Sequence, residues 1–209
     1  IQNSINTNPG APVALRNLNA TNLALGQTQD KVSTGLKVIG AKDDASSFAI
    51  AQGIRAELKG IGAVKQGLSN GQGVATVAIS GTTEVSNLLA DIKKKIIEGL
   101  NPANTSEQQV ILNADFVGLI GQILTFVQNA EFNGRNILES GGSNVNIIAD
   151  TSGGALTLRA QDLEGTAFSP LNAQNLANAS AASAALTVVN SAIATVNTAL
   201  GQLGSDARA

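Results

Sequence analysis

The chain has 209 residues, 13 Lys and Arg against 15 Asp and Glu, and no His, Cys, Met, Trp or Tyr; its aromatics are five Phe. Those absences exclude zinc sites of the usual ligand types, iron–sulfur clusters, thiol nucleophiles and Ser–His pairs, so no metal or cofactor is expected. The near-neutral balance excludes nucleic-acid binding, which needs a concentrated excess of Lys and Arg, while 43% apolar residues suffice for a sizeable core.

Residues 1–10 carry no basic stretch and no apolar core, so no secretory signal peptide is read there. From Leu15 onward, apolar side chains recur in 3-4 alternation through Leu18, Leu25, Val32, Leu36 and Ile39, with Asn22 and Gln29 as polar steps in the series. This spacing predicts an amphipathic helix presenting a coiled-coil seam. Asp43 and Asp44 are read as caps at the positive start of the next helix; a cation or proton shared between them would need further acidic neighbours.

The second helix is predicted from near Asp44 to Leu100. It carries Ile54, Leu58, Ile61 and Leu68 and then, after a phase shift, Ala75, Ala78, Val85, Leu89, Ile92 and Ile96. At about 50 residues it far exceeds the usual length of about 11 and fits only rods and bundles. Each of Gly53, Gly60, Gly62, Gly67, Gly71 and Gly73 costs up to about 1 kcal/mol in a helix interior, and close approach of neighbouring helices is the expected reason for them. Lys93, Lys94 and Lys95 near its end are read as a solvated basic face favoured by the helix dipole.

Asn101-Pro102 stops this helix, and Asn104-Thr105-Ser106-Glu107 caps the next. Over 106–130, Val110, Ile111, Phe116, Val117, Ile120, Ile123, Leu124, Phe126 and Val127 leave almost no polar face. The expectation is a helix buried on all sides. Asn133-Gly134 and Gly141-Gly142 mark turns, and residues 144–149 and 155–160 read as a small β-hairpin about 150–154. After a connector containing Pro170, a last helix from about 178 carries Leu186, Val189, Ile193, Val196, Leu200 and Leu203 in 3-4 alternation. Residues 165–205 are free of charge, yet Asn172, Gln174, Asn175, Asn178, Asn190 and Asn197 interrupt them. No apolar run reaches the roughly 18 residues of a membrane span, and no membrane partner is expected.

The predicted fold is mainly α: an elongated antiparallel helical bundle, a coiled-coil-like rod, with a small β-hairpin. Its expected core is Leu58, Leu68, Val85, Leu89, Ile92, Val117, Leu124, Leu186, Val189, Ile193, Val196 and Leu200. The N-terminal seam of Leu15, Leu18, Leu25, Val32, Leu36 and Ile39 is expected to lack a partner within the chain and to serve assembly. With no inward polar cluster of the kind a reaction pocket needs, the chain is not read as an enzyme.

Several strings match a known architecture in order and spacing. They are Ile5-Asn6-Thr7-Asn8, Ser33-Thr34-Gly35-Leu36-Lys37-Val38-Ile39, Ala41-Lys42-Asp43-Asp44-Ala45 with Phe48-Ala49-Ile50, and Phe132-Asn133-Gly134 before the hairpin. Over roughly the first 140 positions the chain resembles a bacterial flagellin. The resemblance implies an inner, filament-core domain to which residues 1–41 contribute and a rod domain over 42–209. It implies export through a dedicated secretion channel and polymerisation outside the cell into the motility filament. The implied partners are other flagellin copies, an export chaperone, cap and junction proteins, and host immune receptors.

Residues 29–50 correspond to the peptide that plant immune receptors read in flagellins, keeping Ser33, Gly35, Ile39, Lys42, Asp43 and Asp44 and departing at Lys37 and Ser46-Ser47. Where the mammalian receptor docks, the family's basic and leucine positions align with Asp91 and Lys95. The family also carries a further C-terminal stretch that pairs with the N-terminal helix. Nothing here corresponds to it, so the chain reads as a minimal form lacking that inner-domain segment and is expected not to polymerise alone. The other roles weighed are a hook–filament junction protein and a flagellin-like adhesin or polysaccharide-binding surface protein. A flagellin-like zinc protease would need His.

Overall fold

A computed structural model describes residues 8–208; Ile5, Asn6 and Thr7 of the resemblance lie outside them. The chain divides into two compact units, Ile1–Lys59 and Gly60–Ala209.

Unit 1 contains helix α1 (Gly10–Thr34) and the start of helix α2 (Ala45–Gly99). α1 ends because Gly35 takes a left-handed conformation, φ 67°, which a side chain would penalise. Leu36 and Ile39 therefore lie past the helix, in the loop that follows. They do not extend the seam beyond Val32, a correction to the periodic reading, because spacing alone does not register a left-handed stop. In that loop Ile39 N donates to Asp43 Oδ2 at 3.1 Å. Asp44 begins α2: Ser47 N donates to its Oδ1 at 3.0 Å and Ser47 Oγ to its Oδ2 at 2.6 Å. These bonds from Ser47 hold the Asp44 carboxyl below its ordinary range.

In unit 2, α3 (Ser106–Asn129) returns beside α2. Lys95 Nζ lies 3.0 Å from Asp115 Oδ2, and further along a Cβ at Gly81 would sit 3.1 Å from Ala130 Cβ. A capping box starts α3, with Gln108 N donating to Thr105 Oγ1 at 3.2 Å and Thr105 N donating to Gln108 Oε1 at 2.8 Å. Helix α5 (Ala179–Asp206) starts at Asn178, whose Oδ1 accepts from Ala181 N at 2.9 Å. It too runs antiparallel to α2: a Cβ at Gly99 would meet Ala182 Cβ at 3.6 Å, while Asp206 and Ala207 share a groove with Leu68, Gln72 and Ala75. The fold class is the expected one, a mainly helical antiparallel bundle with small β elements.

The buried series of α2 (Ala75, Ala78, Thr82, Val85, Leu89, Ile92, Ile96) and of α5 (Ala182, Ala185, Val189, Ala192, Val196, Ala199, Leu203) both step by 3 and 4. Carrying the register on from Gly99 and Ala182 sets Ile96 across from Ala185, Leu89 from Ala192 and Ala78 from Leu203. At these three levels a large side chain faces a small one, alternating with the levels where Ile92 and Val85 meet Val189 and Val196, and this mixture lets the two helices approach closely at native packing density. α3 adds Phe116, Ile120, Ile123 and Val127.

Parts of the expected core need correcting. Leu58 is 61% exposed, Leu68 37% and Val117 51%. The first buried residue of α2 among those described is Gly71; before it the helix meets the β3–β4 hairpin along one side, as where a Cβ at Gly60 would lie 3.2 Å from Thr151 Cγ2, and Ile54, Leu58, Ile61 and Leu68 stay exposed. On α5 the seam passes through alanines, leaving Leu186, Ile193 and Leu200 half-buried on its flanks. Leu124 is likewise half-buried, whereas Val85, Leu89, Ile92, Val189 and Val196 are fully enclosed.

Two antiparallel hairpins lie against α2. β1 (Glu131–Phe132) pairs with β2 (Arg135–Asn136), and β3 (Val145–Ile148) with β4 (Ala155–Leu158) from Val145↔Leu158 to Ile148↔Ala155. They, rather than neighbouring helices, account for the glycines near the middle of α2. A Cβ at Gly71 would overlap the Ile147 side chain, and one at Gly73 would come within 2.6 Å of the Phe132 ring. Gly53 and Gly62 have nothing within 4 Å. A π-helical turn (Glu164–Phe168) and a short helix, α4 (Ser169–Asn172), close the bundle with Leu163, Phe168, Leu171 and Leu176 buried. α3 and α5 are each long and apolar enough to cross a membrane, yet both turn their buried faces into this bundle.

The end of α5 is clamped to Arg159, the residue just past β4. Arg159 Nη2 donates to Asp206 Oδ1 at 2.7 Å, and Arg159 Nε and backbone N donate to Oδ2 at 3.1 and 3.0 Å. The Asp206 side chain is only 8% exposed. The Arg159 hydrogen bonds outweigh that burial and hold the Asp206 carboxyl below its ordinary range. The resulting stability is present above the unfolded Asp value of about 3.9 and is lost as pH falls through the lower folded value. Asp206→Asn is therefore expected to lower the melting temperature of unit 2 by a few degrees at neutral pH. Below about pH 4 the difference from the parent should narrow, as thermal melts monitored by circular dichroism across pH would show.

Candidate assembly surfaces

On α1 the seam residues Leu15, Leu18, Leu25 and Val32 share one face, joined by the polar steps Asn22 and Gln29. None of the residues of α1 is buried, and Val32 is 79% exposed. Thr21, Thr28 and Thr34 turn their hydroxyls back onto backbone carbonyls four residues earlier, satisfying themselves locally. A lone helix of this length with an uncovered apolar stripe is marginal in water.

The early part of α2 repeats the condition. Ile50, Ile54, Leu58, Ile61 and Leu68 step by about one or two turns along one side and are all exposed. In unit 2 the outer face of α3 exposes Val110, Ile111, Val117 and Phe126, with Ala114, Gly118 and Gly121 between them. This overturns the expectation that α3 is enclosed on every side. Its composition calls for cover, and its own chain supplies only one face of it.

Charge divides unevenly. Residues 1–59 hold six Lys and Arg against four Asp and Glu, and residues 60–209 hold seven against eleven. Opposite net charges favour contacts between unlike surfaces of different copies. Of the three lysines read as a solvated face, Lys95 is an exception: it pairs with Asp115 at 3.0 Å and Glu98 at 3.5 Å, and the Asp115 bond raises its affinity for a proton. Asp44 caps α2, but Asp43 does not: its carboxylate accepts from Ile39 N within the loop before the helix, a correction to the reading of both as caps, while Ser33 lies in the last turn of α1, Gly35 is its stop, and Ile39 and Lys42 stand in the loop beyond.

Among the described residues no group of three or more acidic side chains could hold a metal, and no buried side-chain polar atom lacks a hydrogen-bond partner. Sequence reasoning missed the Arg159–Asp206 clamp and the free face of α3. For the first there is no local signal across 47 positions; for the second the signal was the apolar composition itself.

The profile of the bacterial flagellin N-terminal helical region matches residues 5–143. Flagellin FljO of Caulobacter vibrioides is 32% identical over 203 residues, covering 97% of this chain and 74% of that protein. A flagellin of Brucella melitensis biotype 1 is 30% identical over 168 residues, covering 77% of this chain and 59% of its own length. The crystal structure of Bacillus cereus flagellin matches in fold with a TM-score of 0.63 at 22% identity, covering 68% of this chain and 82% of that one.

Proposed function

Because the chain belongs to the bacterial flagellin family, we infer that it assembles through the uncovered apolar faces of α1, early α2 and α3. It is a structural, non-enzymatic subunit of the flagellar filament, exported from the cell, and it polymerises with other flagellin subunits. What supports the choice of faces is the row of large apolar side chains left open on helices whose sequences call for burial, from Leu15 to Val32 and from Ile50 to Leu68. The proposed division places residues 1–41 in the filament-core domain and 42–209 in the rod domain. The adhesin and hook–filament junction roles have no comparable support, since the matched relatives are named flagellins.

Two classes of further partner follow from the same reading. Before assembly the stripes need cover, which is the work of an export chaperone, and cap and junction proteins meet the same faces at filament ends. For host receptors, docking at Asp91 and Lys95 is disfavoured, because the Lys95 ammonium is already held by Asp115. The plant-read peptide is the better prospect. In the folded chain its Asp43 and Asp44 carboxylates are engaged by Ile39 and Ser47, so a receptor reads it once the segment is released. A synthetic peptide of residues 29–50 is expected to trigger an oxidative burst in leaves at micromolar dose, weakened by Lys37 and Ser46-Ser47. Absence of a burst removes this partner from the proposal.

The assembly reading is tested by electron microscopy of seeded filament growth. Incorporation of the chain, full-length where the natural protein is longer, into filaments of uniform diameter supports it; persistent monomers that bind glycans support the adhesin role instead.

A further inference from the structure

The chain contains two Asn-Gly dipeptides, Asn70-Gly71 and Asn133-Gly134, and the fold treats them in opposite ways. Asn133 is the only described non-glycine residue with positive φ, 51°, followed by Gly134 at 74°; together they form the two-residue turn between β1 and β2. Both residues are exposed. The nearest atom to a Cβ built on Gly134 is Glu131 Oε1, 4.0 Å away, so the space around the turn is open. The ladder it closes is only two residues long on each side, and such an end opens locally at little cost. Asn70-Gly71 lies deep inside α2, where the Gly71 amide is bound into the helix and Ile147 presses on the glycine.

We propose that Asn133-Gly134 is a site of spontaneous deamidation in the folded protein and that Asn70-Gly71 is protected. When the turn opens to an extended Asn133 ψ, the deprotonated backbone nitrogen of Gly134 attacks Asn133 Cγ. A Cγ–N bond forms, the Cγ–Nδ2 bond breaks, and ammonia leaves with the proton count conserved, giving a five-membered succinimide. Water then adds across either ring carbonyl, opening the ring to aspartate or isoaspartate. Either product adds one negative charge to the turn, and isoaspartate also adds one atom to the main chain. That extra atom is incompatible with the Glu131↔Asn136 and Phe132↔Arg135 register. It loosens Phe132 from Gly73 and disturbs Asn136, whose Nδ2 donates to Val127 O at 2.7 Å and whose Oδ1 accepts from Leu138 N at 2.8 Å.

The test is peptide mapping by mass spectrometry of the whole chain held at mildly alkaline pH, natively and in urea, with fragmentation that distinguishes isoaspartate. In the native protein, conversion at Asn133 is expected to run at least about tenfold faster than at Asn70, because a short exposed turn opens far more often than a helix interior. In urea the two rates should converge. Asn133→Gly, which suits the same turn, should melt like the parent and abolish the signal there. Equal native rates, faster conversion at Asn70, or no native conversion at Asn133 while the urea sample reacts would overturn the proposal.

Discussion

Val189→Asp combined with Val196→Asp is expected to abolish the cooperative folding of unit 2. Both valines are fully buried on α5, and carried along the register set by Gly99 and Ala182 they face Ile92 and Val85 of α2. Among the described residues no cation is buried to pair with an introduced carboxylate. An unpaired buried charge is one of the few single changes that costs more than about 4 kcal/mol. Two of them, more than about 8 kcal/mol together, reach the range of an ordinary domain's whole stability, about 5–15 kcal/mol. Circular dichroism should show lost helicity and no melting transition. Val117→Asp, on the open face of α3, provides the contrast. In the monomer it is expected to change stability by no more than about 0.5 kcal/mol. A double α5 variant that melts like the parent would mean that the buried seam is misassigned.

The second large effect concerns assembly and leaves folding intact. Leu18→Asp with Leu25→Asp places two charges on the α1 stripe, where both leucines are more than half exposed. Nothing in the monomer is lost, so the unit 2 melt should coincide with the parent's. In a contact between copies each carboxylate would have to be desolvated without a partner, at several kcal/mol apiece. Since assembly adds subunits through repeated contacts of the same kind, incorporation into seeded filaments is expected to fall below detection. Normal incorporation, or a coupled loss of the unit 2 melt, would contradict the assignment of α1.

Much of this was readable from residue order. Both ends of α2 and the start of α3 follow from Asp44, Asn101-Pro102 and the cap around Thr105, because caps and breakers act over three or four residues. The β3–β4 hairpin was legible from its glycine-rich turn. Three features were not. Leu36 and Ile39 continue the 3-4 arithmetic past a glycine that ends the helix, which a count of spacings does not register. On α5 a count of spacings favours the larger neighbours of the seam alanines, since which of two adjacent stripes points inward depends on the partner helix. The outer face of α3 reads as interior because burial by the same chain and burial by another copy demand the same apolar composition. Sequence records the need for cover and not who provides it. The assembly surface is legible only as the difference between that need and what the fold itself covers.

The chain has no cysteine, so a single introduced thiol carries a unique probe. Leu25→Cys, Ile54→Cys and Val117→Cys, each bearing a solvent-sensitive fluorophore, can be compared as monomers and in seeded filaments by quencher accessibility. All three are open in the monomer. The account predicts that accessibility collapses at these positions on assembly, while a probe at Thr151, at the exposed tip of the β3–β4 hairpin, stays open. Accessibility at Leu25 and Ile54 that is unchanged between monomer and filament would contradict it.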